Sequence, residues 1–358
     1  MGILVLASAA MALPTTVSSP WTAAVDAPPL ARWDSVWYRS IVVDGYRYDP
    51  RSAENNIGFY PMYPLLVGSL SWALGTPLLP TGIAFSLLCL LGALLFLGDL
   101  TALEAGRAVV PWTVGSLLLF PTAFFLAAFY SESLFLMTTA GVFWCARTGR
   151  WWAAGALGLV ASLTRFNGFL ILVPVVWLVA QSAAPRWRAF RARHAAALAG
   201  PLIGAAAFPL YLWARWGDPL LYVRSKAVGW NKKATTLWSL VERVASEALT
   251  RMREPGTGGK LDLLTGVAST AVFLILTAML FRRRRFALGA YAAATLLLLL
   301  HSGNLDGMPR FVLVLFPCFL PLGEVLRREP VLAFGYGFGA TGVGIVLMHR
   351  FVHWIIVA

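Results

Sequence analysis

PMYPLLVGSLSWALG, residues Pro61–Gly75, is the stretch on which the topology of this chain turns. Read as a membrane span, it reverses the side of every loop that follows. Read as a helix lying in the interface, it leaves them where they were. Between Pro64 and Thr76 it offers about 13 residues a membrane would accept, and as a helix these reach about 20 Å. A bilayer's hydrocarbon core is near 30 Å thick, so the stretch is too short to cross it. Charge supplies an independent test, because short cytoplasmic loops collect Lys and Arg. If Pro61–Gly75 spans, the loops at Arg147–Arg150, Arg186–Arg193, Arg282–Arg285 and Arg327–Arg328 fall outside; if it lies flat, all four fall inside. Those loops carry twelve arginines, so the stretch is read as interfacial.

The rest of the chain is mostly oil. Of its 358 residues 59% are hydrophobic and only 13% charged, where a soluble domain averages about 25% charged residues. Apolar runs recur along the whole length, at roughly 1–18, 80–100, 110–128, 131–147, 151–166, 168–184, 195–213, 262–281, 286–301, 310–326 and 331–349. This predicts an all-α polytopic membrane protein, one transmembrane domain over 1–358 with about eleven spans, the amino terminus inside and the carboxyl terminus outside. The formal charge of +13 would point to nucleic acid in a soluble protein. Here the arginines sit in short loops between apolar runs, which makes them topology signals, and no nucleic-acid partner is expected. Cys89, Cys145 and Cys318 fall inside apolar runs and read as buried small hydrophobes, with no disulfide and no metal cluster. The first segment, Met1 to about Val17, lacks a basic leader region, and with many spans following it reads as an uncleaved first span despite the faint cleavage-like "ASAAMA" (Ala7–Ala12). It is short for a span, which leaves room for a start upstream of Met1.

Two long loops then lie on the outer face, about 18–80 and about 214–261. The first contains "RWDSVWYRSIVVDGY" (Arg32–Tyr46), whose acids Asp34 and Asp44 are followed closely by Asp49 and Glu54. As a helix this stretch puts Asp34 at the N-cap or in the first turn, and its aromatic, amphipathic make-up suits the membrane boundary. A membrane-lying connector is one reading. The acids are the argument for another, since ionisable groups near hydrocarbon are expensive and mostly functional. The second loop holds "WGDPLLYVRSKAVGWNKK" (Trp216–Lys233) and a Gly-rich "GTGGK" (Gly256–Lys260) that lacks the strand, helix and Ser/Thr of a phosphate-binding loop.

Arg32, Trp33, Asp34, Trp37, Tyr38 and Ile41, followed by Gly45, Tyr46 and the block "NIGFYPMYP" (Asn56–Pro64), resemble the first lumenal loop of the PIG-V mannosyltransferases, which are GT-C-type glycosyltransferases. "FYSESLF" (Phe129–Phe135), "LTRFNG" (Leu163–Gly168), "GDPLLYV" with Trp230, and "MPRFVLVLFP" (Met308–Pro317) extend the likeness over most of the chain. The resemblance implies a GT-C-type helix bundle with membrane-lying helices in the first outer loop. It also implies transfer of a hexose, mannose first, from a polyprenyl-phosphate donor to a lipid or glycan acceptor, with an acid of the first outer loop as catalytic base. Asp34 is the candidate. A helix cap without catalytic duty is its alternative.

The leaving phosphate needs cations at the same surface. Arg165 and Arg310 stand at the outer ends of apolar spans, unlike the twelve loop arginines, and Arg suits bidentate phosphate contact. Snorkelling to headgroups is the competing reading. Lys226 and Arg224 are less specific candidates of the same kind. His301 precedes Arg310 on the outer turn and is a candidate for the phosphate or the sugar. Glu132 is placed to bind sugar hydroxyls, to orient Arg165, or to serve as a first-turn acid. Asp44 joins the candidate substrate contacts as a second acid of the first loop. Tyr60, Tyr63 and Trp230 are candidates to stack on sugar or lipid, or members of an aromatic belt. No Asp-x-Asp occurs in the first loop, and a site without metal or other cofactor is expected. The competing class is a transporter or flippase for a lipid-linked sugar, which would place ionisable residues in mid-span; here mid-span positions are almost free of charge. The protein is therefore expected in the cell membrane if bacterial, working on its outer face.

Overall fold

The structure, a computed structural model, describes residues 28–52, 55–183, 190–229, 258–303 and 305–355, and scattered positions between 236 and 250. The first segment, Trp230 and much of the middle of the second outer loop lie outside the described residues. Among the described residues every regular element is helical. The α-helices are α1 Ser35–Asp44, α2 Met62–Leu74, α3 Leu78–Ala105, α4 Val110–Leu118, α5 Glu132–Arg147, α6 Trp151–Thr164 and α7 Leu172–Ala183. They continue with α8 Ala192–Trp216, α9 Leu221–Gly229, α10 Gly258–Arg282, α11 Phe286–His301, α12 Met308–Leu313, α13 Phe319–Arg328 and α14 Pro330–Val352. Four of them, α3, α8, α10 and α14, are long and apolar enough to cross a membrane unaided. Helix length alone supports those four; about eleven spans is a reading of hydropathy and charge.

The chain runs back and forth between two charged poles. At one, the ends of α3 and α5, the α10–α11 turn and α13 meet. Arg147 Nε donates to Glu104 Oε1 at 2.6 Å, and Arg285 grips Glu324 through Nη1 at 3.1 Å and Nη2 at 2.8 Å. Arg283 pairs with Glu324 as well. The Trp151 and His194 rings lie 5.0 Å apart and bring the heads of α6 and α8 to the same pole. Among the described residues, Arg147–Arg150, Arg191, Arg193, Arg282–Arg285 and Arg327–Arg328 therefore gather on one side. They also do more than mark topology, because several are bonded to buried acids. The other pole is about 24 Å away along α5, whose 16 residues start at Glu132.

Helix α2, the decisive stretch, has 13 residues and ends at Gly75, whose φ of 62° is the left-handed cap that favours glycine. Tyr63 anchors it, its hydroxyl meeting Gly82 O at 3.2 Å and Ser86 Oγ at 3.0 Å. Leu65, Trp72 and Leu74 remain exposed, an apolar edge suited to lying in an interface.

Two predicted spans differ from expectation. The run 110–128 is helical only to Leu118, then turns through a 3₁₀ segment at Ala123–Leu126. The run 310–326 breaks between Leu313 and Phe319. Pro121 and Pro317 stand at the breaks; proline lacks the N–H and clashes with the preceding turn. Thr122 Oγ1 donates to Pro309 O at 2.8 Å and ties the first break to the head of α12. Irregular backbone is tolerated at such depth where protein buries it, and these two breaks deliver Tyr130–Glu132 and Arg310 to the second pole.

Helices α6 and α8 approach most closely through Gly155, Gly200 and Gly204. A methyl group at Gly200 would collide with the Gly155 carbonyl, and one at Gly204 would reach Leu159 O. The spacing "GPLIG" (Gly200–Gly204) is the small-xxx-small pattern of close-packed membrane helices. Gly200→Leu is expected to force the pair apart at a cost of about 3 kcal/mol or more. Gel filtration in detergent checks this: loss of the monodisperse peak is expected.

Candidate active site

The site is built on the head of α1. Helix α1 buries Ser35, Tyr38 and Ile41 and exposes the other side. Its first turn is bolted to the segment before α5. Asp34 N–H donates to the Tyr130 hydroxyl at 3.1 Å, Ser35 Oγ donates to Phe129 O at 3.3 Å, and the Tyr38 and Ser131 hydroxyls meet at 2.8 Å. Tyr130 in turn donates to Arg32 O at 2.9 Å. Trp33, just before the helix, has φ of 53°, a left-handed backbone rare outside glycine, and its ring packs on Trp354 at 5.5 Å.

Asp34 occupies the N-cap position that its type predicts, yet its side chain caps nothing. It turns instead to Arg310, whose Nη1 donates to Asp34 Oδ2 at 2.7 Å. Arg310 Nε donates to Glu132 Oε1 at 2.7 Å. The same Glu132 oxygen lies 2.9 Å from Arg165 Nη1, an ion pair without an aligned hydrogen bond, and Glu132 Oε2 has no hydrogen-bond partner. Two acids and two arginines thus form one chain, Asp34–Arg310–Glu132–Arg165. Glu132 is 0% exposed and the Arg310 side chain 9%, while Asp34 keeps 22% of its side chain open. The Arg310 guanidinium also lies over the rings of Tyr130 at 4.6 Å and Phe125 at 4.8 Å. Burial, reinforced by the Glu132 carboxylate, holds the Tyr38 phenol well above its ordinary value, so it stays a neutral hydroxyl beside the cluster.

The other predicted candidates stand further off. Asp44 is exposed at the far end of α1, about 15 Å along the axis from Asp34, and pairs with Arg47 at 3.1 Å. The structure does not bring it to the cluster. Tyr60 is buried with its ring against Phe208 at 4.9 Å and Tyr222 at 5.5 Å, and burial raises its phenol far above the usual range. It is a packing residue in this arrangement. Lys226 sits at the near edge, its Nζ 5.3 Å from the Phe59 ring and 6.0 Å from that of Phe166. Phe59 itself packs on Tyr38 at 5.2 Å. Arg224 pairs with Asp218 at 3.1 Å and is largely exposed. His301 ends α11 at the same pole and is exposed. Much of the first-loop block proves to be scaffold. Asn56 accepts from Arg47 N–H at 3.0 Å and donates to Gly45 O at 2.9 Å, and the Tyr46 hydroxyl donates to Phe59 O at 2.7 Å.

Tyr130 is the site residue the sequence did not single out; only its place inside "FYSES" marked it. Tyr130→Phe keeps the ring over Arg310 but leaves the Asp34 N–H without its acceptor. A stability loss of about 1–3 kcal/mol is expected, read from the thermal midpoint, together with a slower reaction.

Helical passes that break in mid-run, short helices in the first loop and paired acids and arginines at one pole make up the frame of a GT-C-type fold. The crystal structure of ArnT from Cupriavidus metallidurans bound to undecaprenyl phosphate shares this fold, at a TM-score of 0.51 and 15% identity, over 97% of this chain and 63% of that one. The chain belongs to the mannosyltransferase (PIG-V) family, whose profile matches residues 3–184 and so includes Asp34, Glu132 and Arg165. GPI alpha-1,6-mannosyltransferase 2 of Rattus norvegicus is 32% identical over 158 residues, and that of Mus musculus 32% over 160. These alignments cover 39% and 40% of this chain and 30% of each relative, less than a third of the relatives' length.

Proposed function

We propose that this protein transfers a hexose, most simply mannose, from a polyprenyl-phosphate donor to a hydroxyl of a lipid or glycan acceptor at the outer face of the membrane. The single observation that carries the proposal is the Asp34–Arg310–Glu132–Arg165 chain, held at the pole opposite the arginine loops. In it Asp34 is the general base. It takes the proton of the acceptor hydroxyl as the oxygen bonds to the sugar's anomeric carbon, and the carbon–phosphate-oxygen bond breaks with its electron pair leaving on the phosphate. Arg310 and Arg165 meet that charge, and Glu132 holds the two guanidinium groups side by side. A phosphate leaves well once its charge is matched, so little acid help is needed; positioning two lipids at one surface supplies much of the rate. Lys226 and His301 border the same pole and are candidates for headgroup contact.

Family membership supports mannose as the sugar, and the undecaprenyl phosphate held by ArnT supports a polyprenyl carrier. The positive-inside bias of the opposite pole supports the outer face. The test is incubation of purified protein with polyprenyl-phosphate-mannose and extracted membrane lipids, followed by mass spectrometry. A lipid heavier by one hexose is expected; no hexose gain on any lipid or glycan would reject transferase chemistry.

A further inference from the structure

Building on that reading, we infer that the Arg310–Asp34 ion pair is a gate operated by the donor: the phosphate of the lipid-linked sugar takes over Arg310 Nη1 and so releases the Asp34 carboxylate to act as base.

The two anchors of Arg310 differ in kind. Its Nε is held at 2.7 Å by Glu132, which is wholly buried, and its guanidinium is flanked by the rings of Tyr130 and Phe125. These contacts keep the group in place whatever Asp34 does. Its Nη1 is held at 2.7 Å by Asp34, the one partly open acid of the cluster. Asp34 has no capping bond to hold it to α1, and among the described residues its carboxylate takes hydrogen bonds from Arg310 alone. An incoming anion can therefore compete for Nη1 and not for Nε.

The competition matters because each duty weakens the other. A carboxylate held on a guanidinium is turned away from an acceptor hydroxyl, and a guanidinium whose charge a carboxylate offsets attracts a phosphate less. Two acids balance two arginines, so an anion entering without displacing Asp34 would meet a neutral cluster. Exchange solves both problems in one move. Phosphate oxygen replaces carboxylate oxygen on Nη1, next to Arg165, and Asp34 turns free toward the acceptor. The base is then released from its ion pair only when a sugar stands ready beside it.

The consequence is counter-intuitive: a variant that cannot react should bind the donor's phosphate better. In full-length protein in nanodiscs, Asp34→Asn is expected to bind sugar-free polyprenyl phosphate at least about tenfold tighter than wild type, since one competing ion pair is gone. Asp34→Ser is expected to behave alike and stands in if the first variant does not fold. Arg310→Ala is expected to abolish the gain in the double variant. Equal or weaker binding by both Asp34 variants overturns the gate. So does tightening seen for phosphatidylglycerol and not for polyprenyl phosphate, which would assign the site to a phospholipid headgroup. The transfer assay run beside it separates the two claims: hexose transfer persisting in Asp34→Asn rejects the base assignment, whereas lost transfer with unimproved binding rejects the gate alone.

Discussion

Asn at position 34 is expected to slow hexose transfer by about 10²–10⁴-fold while leaving the protein folded. The size follows from the duty: a positioned base that takes the acceptor proton contributes on that scale. The expectation of intact folding follows from the structure. Asp34 makes no helix-capping bond that the substitution removes, its backbone N–H stays on Tyr130, and Asn fills the same volume. Arg310 keeps Glu132 as its partner. Initial rates with saturating donor, set beside thermal midpoints, decide the matter. A rate within a fewfold of wild type would leave Asp34 a structural residue.

Glu132→Ala is expected to have the largest effect on stability. Its carboxylate is 0% exposed and faces two guanidinium groups through one oxygen. Removing one side of a buried ion pair costs about 3–5 kcal/mol, because the charge left behind is uncompensated. Here two arginines are left with Asp34 alone. A drop in the thermal midpoint of the detergent-solubilised protein, larger than that of Asp34→Asn, is the expected result. Glu132→Gln should fall between them, because it retains the shape and an acceptor oxygen but not the charge. Equal midpoints for wild type and Glu132→Ala would mean the cluster is not a buried charge balance at all.

What was legible in the sequence was what composition and spacing can carry. Apolar runs located most of the helices, and Pro61–Gly75 holds a helix of 13 residues, shorter than the four long and apolar enough to cross a membrane unaided. The acids and arginines stranded at the ends of apolar runs proved to be neighbours: Asp34, Glu132, Arg165 and Arg310 meet although Asp34 and Arg310 are 276 residues apart. Less legible was anything that depends on a partner. Hydropathy stays high through "LLLFPTAFFL" and "LFPCF", so the breaks at Pro121 and Pro317 were hidden inside apolar windows. Asp34 has the type and position of a helix cap, but a charged partner at 2.7 Å outcompeted the local bond. Asp44 matched Asp34 in type and neighbourhood; ten residues of helix carried it away. Arg147 and Arg285 counted as topology charges because nothing in the chain order announces Glu104 and Glu324 as their partners.

The most direct test of the account is a structure of the protein with a non-reacting polyprenyl-phosphate-mannose analogue bound. The phosphate is expected within hydrogen-bonding distance of both the Arg310 and Arg165 guanidinium groups, with the anomeric carbon turned toward a detached Asp34 carboxylate. A phosphate bound elsewhere, with Asp34 and Arg310 still paired and no sugar beside them, would contradict it.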